Sequence, residues 1–334
     1  MYEDGEEPKN HVRRISVVGM GRVGTAIANA IARRGTATHL ALIDVQPNRA
    51  QSEALDLQDT IPFLNPLQLT HSTEISASKG SHIIIITAGA RQRPGESRLD
   101  LLGRNVSILS SIIPPAVKLS PNAVFLVVSN PCDVLTYVAA RLAGEKAAHR
   151  VIGSGTNLDS ARLVSALSRR ADIAAREVNA VIIGEHGDSS VAAWSIATIS
   201  GLPLRAISTD LETEIIREQL LREVRGAASE IIKYKGYTAT GVGESCADLA
   251  ACILSGSIHV RPVTTRIPGG TFPVITESIY FSMPVRLGGS GDMGILVPKL
   301  DERELALLSK SASVLLAAQQ DADVHLERVL GSTT

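Results

Sequence analysis

The chain carries almost no net charge: 33 lysines and arginines against 34 aspartates and glutamates leave -1 over 334 residues. Nothing in that balance would draw it to nucleic acid or to an anionic membrane surface. Cysteine is scarce as well. Its three copies, Cys132, Cys246 and Cys252, form neither a CxxC pair nor a metal-ligand spacing. They read as reduced, buried thiols of a cytosolic protein, with no metal site expected. No apolar run reaches the roughly 18 residues that a membrane span requires. Residues 1–11 lack the basic start and apolar centre of a secretion signal, and Glu3, Asp4, Glu6 and Glu7 make them too acidic for a typical transit peptide. They are expected to form an acidic arm on a cytoplasmic protein.

What is present is an ordinary globular composition, 44% hydrophobic and 20% charged. At this length two domains are expected, 12–152 and 153–331. In the first, short β-rich runs at 15–18, 40–43, 82–87, 124–128 and 151–152 alternate with helical patterns at 24–34 and 49–59. Strands apolar on both faces, separated by helices, predict a doubly wound α/β parallel sheet of the Rossmann type. The second half predicts an α+β domain. A strand is expected over 178–183, a long amphipathic helix over 213–234 or past Gly236, and antiparallel hairpins over 260–296. A last helix, over 301–330, is opened by Asp301 with Glu304 three residues on.

Gly19-Met20-Gly21-Arg22-Val23-Gly24 is a GxGxxG sequence lying between a strand and a helix. Its glycines would allow a tight turn, close approach of a pyrophosphate, and close packing of helix on strand, with phosphates at the helix N-terminus. Asp44 follows the next strand about 20 residues later, where an acid takes the ribose hydroxyls of NAD. Its charge would repel the extra phosphate of NADP, so NAD is expected. Two other readings stay open: Asp44 as a simple helix cap, and Arg49 as a phosphate contact.

Polar density marks the chemistry. In Ile183-Gly184-Glu185-His186-Gly187-Asp188, the histidine sits between glycines and carboxylates, poor company for a core residue and good company for a proton carrier. Asp159 and Arg162 are three apart on one helix, as a surface ion pair or as a partner set for that histidine. The stretch 88–98 follows a buried strand and mixes glycines with Arg91, Arg93 and Arg98, as a solvated loop or as a lid over an anionic substrate. Asn130, before Pro131, stands at the carboxyl end of another strand, where open α/β sheets bind ligands.

Taken together, residues 19–24, 89–98, 128–131, 153–162 and 184–188 resemble the L-lactate dehydrogenase family, whose fold is shared by lactate-type malate dehydrogenases. The resemblance runs from about Arg13 to Leu330, with plant-type members especially similar around 129–131 and 184–191. It implies hydride exchange between NAD and a 2-hydroxy acid, as in lactate oxidation or fermentation. The catalytic set it implies is His186 as proton carrier, Asp159 as the carboxylate orienting it, and Arg98 as the lid arginine. Arg162 would clamp the substrate carboxylate, and Gln92, Asn130 and Thr238 would line its pocket. The cofactor would run along Gly19, Met20, Gly21, Arg22, Val23, Gly24, Asp44, Ala88, Gly89, Asn105, Val128 and Asn130.

Gln92 bears on the substrate. Malate-specific relatives usually carry arginine there, for a second carboxylate, whereas a neutral glutamine suits the methyl group of pyruvate. Arg91 and Arg93 on either side keep malate dehydrogenase as the alternative. A non-catalytic dinucleotide-binding protein is the more distant one. The resemblance also implies a homotetramer, with interfaces on helices such as 49–59 and 160–170. Val164 and Asn179 stand where sugar-phosphate-activated relatives carry Arg and His, so no such activation is expected. Thr240, where a bulky aromatic is frequent, would widen the pocket for larger 2-oxo acids.

Overall fold

A computed structural model describes residues 12–90, 95, 97–207 and 210–331. The acidic arm 1–11 and the lid positions 91–94, Gln92 included, lie outside the described residues, as does the side chain of Arg98. The first half runs β1 (Arg14–Val18), α1 (Arg22–Arg34), β2 (His39–Ile43), α2 (Pro47–Gln58), β3 (Gln68–Ser72), β4 (Ile83–Ile86), α3 (Arg98–Leu119), β5 (Val124–Val127), α4 (Cys132–Ala143), α5 (Glu145–Ala148) and β6 (Val151–Gly153). These strands pair in parallel in the order β3-β2-β1-β4-β5-β6. That is the Rossmann order, with its reversal between β1 and β4.

The sequence of β4 explains the layering. Its four isoleucines are fully buried, and alternate ones face opposite sides of the sheet. Ile83 and Ile85 pack with Ile27 and Ile31 of α1, Leu57 of α2 and Leu249 of the later helix α8 (Thr240–Leu254). Ile84 and Ile86 pack with Val106 and Leu109 of α3 and Leu135 and Val138 of α4. Each such side chain contributes about 1.5–3 kcal/mol through burial.

The second half continues with α6 (Asn157–Ala171), β7 (Val178–Asn179), β8 (Ile182–Ile183), β9 (Val191–Ala192), β10 (Thr198–Ile199), β11 (Leu202–Pro203), α7 (Glu214–Lys235), α8, β12 (His259–Ile267), β13 (Ile279–Gly288), β14 (Gly291–Ile295) and α9 (Glu302–Gly331). The three longest antiparallel strands do not form a separate sheet, whereas β7, β10 and β11, and β8 with β9, make two small ones. β12 joins β6 at Thr264 and Gly153, so β12, β13 and β14 extend the Rossmann sheet to nine strands. This covers an edge that β6 would otherwise leave unpaired.

Three segments differ from the expectation or refine it. The strand over 178–183 is two short ones, because β7 pairs with β10 while β8 pairs with β9. The long helix α7 stops at Gly236, whose φ of 81° reverses the chain while its amide donates to Ile232 O at 2.8 Å. At the start of α9, Glu304 N donates to Asp301 Oδ1 at 2.8 Å and Asp301 N donates to Glu304 Oε2 at 3.0 Å, a reciprocal capping box.

Candidate active site

A cleft of about 1480 Å³ opens at the carboxyl ends of β1, β2, β4 and β5. Its floor is the turn from β1 into α1. Gly19 has φ 102°, and a Cβ there would come 2.6 Å from the amide of Ala88. A side chain on Gly24 would overlap the carbonyl oxygen of Gly19, so α1 can start this close to the strand only with glycine. Gly21 differs: a Cβ there would meet nothing within 4 Å. It caps α1 without any side-chain hydrogen bond, which leaves the first helical amides free to face the cleft.

Asp44, 7% exposed, lies on the cleft wall. Its Oδ2 accepts from Met20 N at 2.7 Å and its Oδ1 from Gln46 N at 2.9 Å. The acid thus ties the glycine turn to the end of β2 and keeps lone pairs for a diol. Open space over Gly21, uncapped helix amides and a fixed carboxylate suit a dinucleotide: pyrophosphate at α1, ribose at Asp44. The groups expected along it divide in two. Gly19, Met20, Gly21, Arg22, Val23, Gly24, Asp44, Ala88, Gly89, Val128 and Asn130 line the cleft, and so does Thr238. Asn105 does not. It is buried behind the 88–90 turn, where its Oδ1 accepts the Ala90 amide at 2.7 Å. Ser129 Oγ donates to Ala88 O at 2.6 Å and holds the same turn from the other side.

Beside the cleft lies a charged cluster. His186 Nδ1 is 2.6 Å from Asp159 Oδ2, and the other oxygen, Asp159 Oδ1, accepts from Arg162 at 2.9 Å. Helix α6 supplies both partners from adjacent turns of one face. These three side chains are not in the lining of the cleft; they meet it through the first turn of α4. The His186 amide donates to Asp133 Oδ2 at 2.7 Å, and Asp133 is three residues beyond the cleft residue Asn130. Arg98, opening α3, follows a local cap in which Ser97 Oγ accepts from Asp100 N at 3.1 Å.

Burial works against a charged imidazole at His186, but the hydrogen bond and charge of Asp159, joined by Asp133, outweigh it and hold the pKa above its ordinary 6.5. Burial likewise opposes ionisation of Asp159. The bond and charge of His186, with Arg162, prevail and keep that carboxyl below its usual 3.8. The pair therefore favours imidazolium with carboxylate. Sequence reasoning missed Asp133 and its partner Thr264, whose hydroxyl donates to Asp133 Oδ1 at 2.6 Å. Their separation of 131 positions leaves no local signal.

A dinucleotide fold joined to an acid/base pair beside its cleft defines the nicotinamide-linked dehydrogenases. Comparison with known proteins narrows this. The family model of the lactate/malate dehydrogenase NAD binding domain matches residues 13–153, and that of the lactate/malate dehydrogenase α/β C-terminal domain matches 156–324. L-lactate dehydrogenase B of Hordeum vulgare is 43% identical over 313 residues, 92% of this chain and 90% of the relative. The L-lactate dehydrogenase C chain of Sus scrofa is 42% identical over 95% of both chains. The crystal structure of a lactate dehydrogenase from a Medee basin deep-sea metagenome library superposes with a TM-score of 0.88 at 34% identity, covering 93% of this chain and 99% of the other. The chain belongs to the lactate/malate dehydrogenase family, and its cofactor is NAD.

Proposed function

We propose that this protein is an L-lactate dehydrogenase, interconverting (S)-lactate and NAD+ with pyruvate, NADH and a proton. The observation that carries the reading is the 2.6 Å contact between His186 Nδ1 and Asp159 Oδ2, beside a cleft suited to the dinucleotide. The Asp159 bond fixes the ring so that Nε2 is the nitrogen left to exchange a proton with substrate. The bond and charge of Asp159 favour the imidazolium that pyruvate reduction needs, and this form donates its proton to the substrate oxygen. In the reverse direction the neutral ring takes the hydroxyl proton of lactate. The chemistry that NAD supplies when bound is acceptance or donation of the hydride at the carbon bearing that oxygen. Arg162 spends one N–H on Asp159 and keeps the rest of its fork for the substrate carboxylate. Arg98 would close from the start of α3 to polarise the carbonyl. Gln92 would face the methyl group, with Thr238 and Asn130 completing the pocket.

The single experiment is His186→Ala. Turnover of pyruvate should fall by orders of magnitude while NADH still binds, as read by quenching or enhancement of its fluorescence. Retained turnover would remove His186 from the reaction. A finer division follows from the same reading: 12–152 for cofactor, 153–331 for substrate. We also place the protein in the cytoplasm as a homotetramer. No helix among the described residues is long and apolar enough to cross a membrane. The exposed Leu55 on α2 and Phe63 after it offer apolar surface that subunit contacts would cover.

A further inference from the structure

One buried ionisable group is unused by the mechanism above. Asp133, in the first turn of α4, is 2% exposed. Among the described residues each of its oxygens has one donor: Thr264 Oγ1 at 2.6 Å on Oδ1 and the His186 amide at 2.7 Å on Oδ2. Thr264 is itself fully buried and shares its hydroxyl with Ser282 Oγ at 3.2 Å, which accepts the Thr156 amide at 3.1 Å. The chain is packed tightly against this network. A Cβ on Gly153 would sit 2.8 Å from the Cβ of Thr264 and 3.0 Å from Cys132 Sγ. Among the described residues no lysine or arginine is seen donating to the Asp133 carboxylate, and His186 is tied to it through its amide.

We propose that Asp133 is a positioning residue for the proton-carrying histidine: anchored by Thr264, its carboxylate holds the His186 main chain from behind while Asp159 holds the ring, and its charge adds to that of Asp159 in favouring the imidazolium. The inference rests on the dehydrogenase reading for its consequence, though not for its measurement. The charged and titratable groups that act on Asp133 are few. His186 and Glu185 face it from the loop after β8, and Cys132 precedes it on α4. Asp159 and Arg162 of α6 reach it through His186. Burial pushes the Asp133 carboxyl up to about 6, with Thr264 and His186 pulling the other way. Both groups bonded to it are donors, which suits the carboxylate form.

The test is Asp133→Asn. The amide oxygen can still accept the His186 N–H, and the Thr264 hydroxyl can rotate to accept from the new NH2, so the hydrogen bonds survive while the charge goes. The imidazole pKa of His186, read by NMR titration of the whole protein without substrate, should fall by about half a unit or more. The high-pH decline of kcat/KM for pyruvate should move down with it, with KM for NADH unchanged. An unmoved imidazole titration overturns the proposal, because a purely structural role would not shift it. Should that variant not fold, Thr264→Val removes only the anchoring hydroxyl. It should raise the Asp133 pKa and lower the His186 midpoint, by less than Asp133→Asn does; no shift again overturns the proposal. A wild-type protein that binds NADH but does not turn over pyruvate would instead overturn the dehydrogenase reading and leave the titration result intact.

Discussion

Replacing Asp159 with asparagine probes the core of the site with little change of shape. The side chain is 10% exposed and holds two cations at once, His186 through Oδ2 and Arg162 through Oδ1. Asparagine keeps one acceptor and turns the other into a donor. If its oxygen stays on Arg162, its NH2 faces Nδ1 and traps the neutral ring with the proton on Nε2. If it flips, Arg162 meets an amide donor. Either way the imidazolium loses its counter-charge while Arg162 remains nearby. Removing one partner of a buried ion pair costs about 3–5 kcal/mol, and that cost falls on the protonated form that reduction requires, so kcat/KM for pyruvate should fall roughly 10²–10⁴-fold. The assay is the loss of NADH absorbance at saturating cofactor, with NADH affinity measured separately and expected to be unchanged. A fall of less than tenfold would refute the argument that this carboxylate sets the charge of His186.

Further outcomes follow from the same geometry. Arg162→Lys should raise KM for pyruvate roughly 10–100-fold, since an ammonium cannot form two parallel bonds to a carboxylate and a bond between charged groups is worth about 1.5–3 kcal/mol. Gly24→Ala should abolish NADH binding or unfold the N-terminal half, seen as a lowered Tm, because its Cβ would overlap the Gly19 carbonyl oxygen. Pyruvate reduction should persist above pH 6.5 and decline as pH rises through the raised His186 pKa, whereas lactate oxidation should rise over the same interval. The His186 contribution to stability has the same sign: complete below 6.5, lost as pH rises through the folded value. That of Asp159 runs oppositely, present above 3.8 and lost as pH falls through its lowered value. Gln92→Arg should move preference from pyruvate towards oxaloacetate; an unchanged ratio would show that another lid residue reads the substrate.

Local signals in this chain were legible where one element suffices. The isoleucine run at 83–86 announces a strand buried on both faces, GxGxxG announces its turn, and Asp301 with Glu304 announces the cap of α9. Elements without such a signal were silent. The edge strand β3 is largely exposed and carries Gln68, Thr70 and His71 instead of an apolar run, and α3 contains Pro114 and Pro115 within its length. The merging of the antiparallel strands with the Rossmann sheet is a tertiary choice, made by the pairing of Thr264 with Gly153. The site divides in the same way. His186, Asp159 and Arg162 stand in motifs whose polarity is visible along the chain. Asp133 is one acid in an apolar helix, and only its burial beside Thr264 and under the His186 amide gives it meaning.

The most direct test of the central claim is NADH oxidation by the purified protein at 340 nm, with pyruvate and oxaloacetate compared in parallel. Much faster turnover of pyruvate is the predicted result, since neutral Gln92 would leave the second carboxylate of oxaloacetate without a partner. Preference for oxaloacetate would contradict it. The fold and the His186–Asp159 pair would stand, and the substrate would be read by Arg91 or Arg93 instead.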